Sequence, residues 1–441
     1  MTSPPRQLKE RIDEALALIE KWSGADRKVM VLAKRSADGA CSAGIMAKLL
    51  MYYRCPFEAK VVGLEELTGF LKRRPTVILD FPLPSGTKVE GDWICVSHLP
   101  PFKDESDVIS IHPELAGLNG LSEACTSSLL YLLAYEAGVT EDEGSVMLLC
   151  AGVQGDEQVG SPPSPLKGIN DMLISPLIER GLVKISRSLS LFSSKAPLRS
   201  VIAVNLDPPL KRVLGSEDDV KKVLRRAGLV DLADKPLSTL SEEFRSRLIQ
   251  CLLMEALTSG LGAAEAERLV RASLKVRIEE AMEDVAEASR TVDVCAKLGR
   301  LALSIQSFLR GRPSLFDQER LEISLSYMTR LARRVRDLIT QLEAQPTTCL
   351  FELEPEFRGF TLDVARCMAV LHPLVRVCIY SRVNNFLKIS IAWREAIEED
   401  VLNRLTSIAE EHKGLFEIGP KWIDIAMPVE TLEQIKATLV R

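Results

Sequence analysis

The chain opens on a helical stripe. Between residues 7 and 22, Leu8, Ile12, Ala15, Leu16, Ile19 and Trp22 recur at the three-to-four spacing of one helix face, and Ser23-Gly24 ends the run. Short unbroken apolar runs follow at 29–33, 61–64, 76–79, 93–96 and 108–111. Runs of this length without polar alternation suit strands buried on both faces, as in a parallel sheet. Helical patterns at 40–53 and 121–137 separate some of them, and 144–153 reads as a buried helix leading into Gly155-Asp156. Strands alternating with helices predict an α/β domain with a parallel sheet.

Pro162, Pro163 and Pro165 break this pattern, because a helix cannot continue through them. Helical periodicity then dominates, at 212–228, 241–258, 263–286, 292–310 and 316–343, with Pro197, Pro208-Pro209 and Pro313 between segments. Gln345-Pro346 marks a second break. Beyond it come a strand at 349–352, a helix at 361–371, strands at 374–380 and 386–393, a helix at 396–411, a strand at 422–427 and a last helix. The expected organisation is an α/β domain over 1–165, a mostly helical connecting region over 166–345, and a small α+β domain over 346–441.

Composition narrows the class. The 441 residues are 46% hydrophobic and 27% charged, as expected of a globular protein with more than one core. Lys plus Arg number 56 against 61 Asp plus Glu, a net charge of −5, so no overall basic field favours wrapping duplex DNA. Ten cysteines stand singly, without a CxxC pair, and read as reduced core thiols of a cytoplasmic protein. The apolar runs are too short to cross a bilayer, and no signal peptide or membrane association is expected. The four histidines, His98, His112, His372 and His412, are far apart and show no metal-ligand spacing.

Polar groups gather at predicted strand ends. Lys34-Arg35-Ser36-Ala37-Asp38-Gly39 follows the first strand and opens a helix. Asp80 ends another strand, Val96-Ser97-His98-Leu99-Pro100 ends a third, and Gly155-Asp156 closes the buried helix. Open α/β sheets bind ligands at the carboxyl ends of their strands. Any one of these aspartates by itself reads more readily as a cap or turn residue. The ordered set is the stronger signal.

That set resembles the DHH phosphoesterase family, in particular the archaeal RecJ-like nucleases. Their first motif is His-x-Asp-x-Asp-Gly, the second a strand ending in Asp, the third Asp-His-His, and the fourth a glycine-rich turn before Asp. Together these hold two divalent metals that activate water against a phosphodiester. Here Lys34 stands at the family's histidine, Ser36 at its first aspartate, and Val96 and Ser97 at the Asp and first His of the third motif; Asp38, Asp80, His98 and Asp156 remain. A cation pair needs several carboxylates to offset its repulsion. Losing ligands to Val96 and Ser36 while gaining the charge of Lys34 argues against it. No catalytic residue and no cofactor are expected, and Asp38, Asp80 and Asp156 remain only as weak single-ion candidates.

The resemblance continues past the first domain. Residues 188–199, Asp207-Pro208-Pro209 and 295–300 are similar to the middle of the RecJ-like proteins, and the C-terminal domain resembles the DHHA1 module that grips substrate. The module's Gly-Gly-His loop corresponds to Lys421-Trp422-Ile423-Asp424-Ile425-Ala426, with neither the glycines nor the histidine. Ala392 stands near its arginine, after Lys388-Ile389-Ser390, and Arg394 follows by a small register shift. The resemblance is therefore to a noncatalytic branch, the counterpart of the inactive subunit that joins GINS to the MCM ring in the CMG replicative helicase. It implies GINS and MCM helicase as partners. It also implies contact with single-stranded DNA, for which Lys34, Arg35 and Arg394 are candidates. A residual one-metal phosphoesterase, or a regulatory partner of an active RecJ-like nuclease, stays open beside it. The basic clusters Lys72-Arg73-Arg74, Lys221-Lys222 with Arg225-Arg226, and Arg330, Arg333, Arg334 and Arg336 read first as solvated faces.

Overall fold

The computed structural model describes residues 4–24, 27–70, 74–81, 91–99, 108–139, 142–160, 164–310, 315–344, 350–372 and 376–440. Pro100, Lys72-Arg73, Pro162-Pro163, Pro313 and Gln345-Pro346 lie outside these residues. The chain divides into two compact units, one formed by Met1–Ser188 with Ala272–Glu322, the other by Leu189–Arg271 with Ile323–Arg441. Residues 166–345 thus contribute to both.

The first unit is built on a five-stranded, all-parallel sheet. Its elements are α1 (Arg6–Ser23), β1 (Val29–Lys34), α2 (Ala37–Tyr52), β2 (Phe57–Val62), the short α3 (Leu67–Phe70), β3 (Thr76–Leu79), β4 (Trp93–Val96), β5 (Val108–Ile111), α4 (Thr126–Glu136) and α5 (Glu143–Gly155). Strand order is β2-β1-β3-β4-β5. The second strand begins four residues before the apolar run that announced it. Leu8, Ile12, Ala15, Ile19 and Trp22 bury one face of α1, as its periodicity requires. By contrast α2, α4 and α5 are buried nearly all round, which their apolar composition permits. All of these join one core.

The stretch 263–286 corrects the helical expectation. A short helix, Ala263–Glu267, gives way to an antiparallel hairpin of Val270–Ile278 and Ala281–Asp284. Ala272, Leu274, Val276 and Ile278 alternate with polar residues and are buried, a period of two that overrides helix propensity. Glu279 takes a positive φ of 54° in the two-residue turn.

The second unit contains a mixed five-stranded sheet in the order Leu415–Gly419, Trp422–Pro428, Phe386–Trp393, Arg376–Val383, Leu350–Glu352. Only the last pairing is parallel. Ile389, Ile391, Ile423 and Ile425 point to one face, where they form a core with Val401, Leu405 and Ala409 of the helix Glu399–Glu411 and with Ile435 and Leu439 of the last helix. The architecture is α/β, with a parallel sheet, substantial helix and a sheet-containing C-terminal domain. Among the described residues no helix is long and apolar enough to cross a membrane.

Candidate functional site

The strand order places a topological switch between β1 and β3, because the chain leaves β1 toward β2 and returns on the other side. Ligand crevices in such sheets open at the carboxyl ends of the strands flanking that point. Lys34 ends β1, Asp80 follows β3, and Ser97-His98 follow β4. Asp38 lies in the first turn of α2, and Asp156 caps the end of α5. Asp38, His98 and Asp156 each bring a ligand atom within 4.8 Å of the others.

Asp38 is 2% exposed, and both its oxygens serve another helix. Oδ2 accepts the backbone N–H of Thr126 at 2.7 Å and Oδ1 that of Ser127 at 2.8 Å. These are two of the donors that the start of α4 leaves without intrahelical partners, and a carboxylate there meets the positive end of the helix dipole. The close approach needs Gly152 of α5. A Cβ at that position would sit 1.9 Å from Ser127 Oγ and 2.7 Å from Asp38 Oδ1.

Asp80 is equally buried and has φ = 66°, a region that non-glycine residues seldom occupy. Its Oδ1 accepts from Thr126 Oγ1 and meets His98 Nδ1, both at 2.9 Å, while Oδ2 accepts from Ser36 Oγ at 2.7 Å. Ser36 also caps α2, accepting from the Gly39 N–H at 2.9 Å. The backbone N–H of His98 donates to Thr126 Oγ1. Asp156 Oδ2 accepts from Gln158 Nε2 at 2.6 Å, and Asn170 Nδ2 holds the Gln158 oxygen.

Burial raises the pKa of Asp80, but the Lys34 ammonium and the hydrogen bond from His98 outweigh it and hold the carboxyl down to about 2. Burial likewise opposes charge on His98; Asp156 and Asp80 override it and push the imidazole up to about 10. Asp156 is raised to about 7 by burial, with His98 opposing and the two other carboxylates adding. Asp38 is raised by burial and by Asp80, against His98 and the Ser127 hydrogen bonds. At neutral pH the pocket therefore holds its own cation, an imidazolium bonded to Asp80 beside the Lys34 ammonium.

The remaining candidates sit elsewhere in the scaffold. Val96 is fully buried, and its carbonyl accepts the Asp80 N–H at 2.9 Å. Ser97 donates its N–H to the Ile111 carbonyl, and its hydroxyl accepts from Leu99 N–H. Arg35 turns away to Glu66 at 2.6 Å and Glu65 at 3.4 Å. In the second unit, Arg394 is half-buried and its carbonyl accepts from Lys421 Nζ at 3.0 Å. There Lys388 forms an ion pair with Asp424, and Ser390 Oγ donates to Asp424 Oδ1 at 2.6 Å. The residues 421–426 are mostly strand.

Two adjacent divalent ions do not suit this donor set. Ser36 and Val96 supply no anionic oxygen, and the Asp38 and Asp80 carboxylates already hold five donors between them. Asp38, His98 and Asp156 offer a single ion three ligand atoms only once His98 gives up its proton, with Lys34 opposing the ion. Thr126 and Ser127 were not anticipated from sequence, although Cys125-Thr126-Ser127-Ser128 before an apolar run is a recognisable helix start.

Fold and pocket together define an α/β protein with a carboxylate–imidazole cluster at the switch point of a parallel sheet. No family model matches the chain. An uncharacterized protein of Methanocaldococcus jannaschii is 25% identical over 264 residues, covering 56% of this chain and 58% of that relative, so the match spans little more than half of it. The crystal structure of CDC45 from Entamoeba histolytica superposes with a TM-score of 0.64 over 98% of each chain at 8% identity. That is a likeness of fold. RecJ from Thermus thermophilus, in complex with Mn²⁺, aligns with 98% of this chain and 54% of its own at 15% identity and a TM-score of 0.49.

Proposed function

We propose that this chain is a noncatalytic, RecJ-like subunit of the archaeal DNA replication machinery, which binds GINS and supports assembly or activity of the MCM helicase. The observation that carries the reading is the pocket's internal neutralisation. Asp38 serves α4, Asp80 serves Ser36, Thr126 and His98, and the Lys34 charge acts on Asp80, His98 and Asp156. A crevice so occupied is a framework for holding shape. The fold shared with CDC45 from Entamoeba histolytica supports the same reading. On it, Lys34 and Arg394 are the positions at which single-stranded DNA would be met without being cut. The 1–165, 166–345 and 346–441 division would be its functional layout, and its place would be the cytoplasm. Arg35 is the weakest DNA candidate, because its guanidinium is engaged by Glu65 and Glu66.

The test is gel filtration of the purified full chain with purified GINS and with MCM. Stable co-elution with either is the expected result, and elution of the chain alone from both overturns the proposal. One observation favours a second reading, a residual one-metal phosphoesterase: Asp38, His98 and Asp156 could share an ion. Mn²⁺-dependent release of nucleotides from oligonucleotides, abolished by Asp156→Asn, would establish it.

A further inference from the structure

The helix Glu242–Thr258 in the second unit presents more apolar side chain to solvent than its packing accounts for. Leu248, Leu252, Glu255 and Ala256 form its buried face. Beside that face Phe244 is 36% exposed and Met254 60%, with Leu257 at 45% on the next turn. At 3.6 residues per turn, Phe244, Arg247, Cys251, Met254 and Thr258 fall within about 80° of one another, a stripe roughly 21 Å long. Single exposed apolar residues need no explanation, but an ordered stripe marks a contact surface.

Apart from the exposed Glu242 and Glu243 of its first turn, its charge frame is cationic. The helix's acidic residues are confined to the first turn, Glu242 and Glu243, and to the buried Glu255. The Arg247 guanidinium lies 5.9 Å from the Phe244 ring and donates to the Ala227 carbonyl at the end of the helix Glu217–Arg226. That helix ends in the exposed Arg225 and Arg226. At the other end Arg212, 54% exposed, bonds the Thr258 carbonyl at 3.1 Å. Arg225 and Arg226 thus stand near one end of the strip, Arg247 lies within it, and Arg212, which also pairs with Glu255, stands at the other end.

We propose that this face docks an amphipathic helix of a protein partner, its apolar side on Phe244, Cys251 and Met254 and its flanking carboxylates on Arg225, Arg226, Arg247 and Arg212. A helix laid on a helix reads such anchors at i, i+3/i+4 and i+7 spacing. The exposed apolar area of Phe244 and Met254 is on the order of 200 Å². A stable symmetric dimer needs roughly 800 Å² from each partner, so a second copy of this chain is the poorer occupant. Arginine charge steers an acidic partner and rejects a basic one. The inference deepens the reading of the chain as a binding subunit and rests on it.

The test uses the full-length chain and a fluorescein-labelled 18-residue helix carrying Leu at positions 1, 4, 8, 11 and 15 and Glu on the flanks, followed by anisotropy. Binding that weakens at least tenfold in Phe244→Ser/Met254→Ser, weakens likewise in Arg225→Glu/Arg226→Glu, and vanishes when Lys replaces Glu in the peptide is the expected result. Met254→Lys alone, at an exposed position, serves if the double variant loses its circular dichroism signal. Equal binding by the Lys peptide, or indifference to these substitutions, overturns the proposal. So does displacement of the peptide by oligo-dT, or a concentration-dependent dimer that Met254→Lys abolishes. Co-elution of GINS or MCM with Phe244→Ser/Met254→Ser as with the wild type sinks this surface alone; failure of the wild-type chain to co-elute sinks the broader reading.

Discussion

Replacing Asp38 with alanine separates a structural carboxylate from one kept for a metal. The substitution strips partners from the Thr126 and Ser127 amides, both buried at the start of α4. An unsatisfied buried N–H costs about 1–3 kcal/mol, giving roughly 2–6 kcal/mol for the pair. Against this, removing one carboxylate relieves its repulsion with Asp80 and the cost of burying its charge, both of which raise its pKa. A net loss of about 2–4 kcal/mol remains, which at a urea slope of about 2 kcal/mol/M lowers the midpoint by about 1–2 M. Asp38→Asn, which keeps one acceptor oxygen, should lose about half as much. The assay is urea unfolding of chelator-treated protein, followed by hydrogen exchange of peptides covering 126–136, so that the first unit is read by itself. A carboxylate held only for a cation is a source of strain in the metal-free protein, and its removal stabilises. An unchanged or raised midpoint in Asp38→Ala would refute the capping role and with it the self-neutralised pocket.

Four further outcomes follow from the same geometry. His98 is raised to about 10 in the folded chain against 6.5 unfolded, so its stabilisation is full below pH 6.5 and is lost as pH climbs toward 10. Asp80, lowered to about 2 from 3.8, stabilises above pH 3.8 and loses that contribution as pH falls to 2. The unfolding midpoint of the first unit should decline on both sides, and His98→Gln should flatten the alkaline limb and also weaken the acid one, because His98 helps hold Asp80 down; an unaltered alkaline limb in that variant contradicts the assignment. Calorimetric titration with Mn²⁺ should show at most one weak site that Asp156→Asn removes, and two ions bound per chain would be incompatible with the donor set. Lys34→Ala should tighten any such binding about tenfold or more, since a cation at contact distance opposes another by roughly 1–4 kcal/mol; unchanged affinity would place the ammonium outside the pocket. Gly152→Ala should cost about 1–3 kcal/mol through the clash with Ser127 and Asp38, and a neutral effect would show that α4 and α5 separate freely there.

Much of the fold was legible because its cores follow simple periods. The stripe Leu8–Trp22 buries as spaced, and four of the five short apolar runs coincide with strands β1, β3, β4 and β5 to within a residue. The failures have physical causes. In 263–286, charged residues between the apolar ones resemble a solvated helix face, yet the strict alternation after Val270 belongs to a strand. The strand Leu415–Gly419 went unseen because Phe416-Glu417-Ile418 is too short to show a period, and only its pairing with Trp422–Pro428 makes it a strand.

The pocket shows a different limit. Asp38, Asp80, His98 and Asp156 could be singled out because each lies at or just beyond the end of an element or at the start of one, and position along the chain predicts position at a sheet's edge. What each carboxylate does there depends on partners distant in sequence. Starting α4 near 121 instead of at Thr126 hid the amides and the hydroxyl that occupy Asp38 and Asp80. Arg35, next to Lys34 in sequence, leaves the pocket because Glu65 and Glu66 draw its guanidinium to the β2 side. Which residue types stand at the strand ends could be read from the sequence. That Asp38 and Asp80 are internal partners of a helix start, a serine and a histidine could be read only from the fold. This second fact is what supports the proposed structural role: a carboxylate placed at Val96 would leave Asp38 and Asp80 committed to α4, Ser36 and His98.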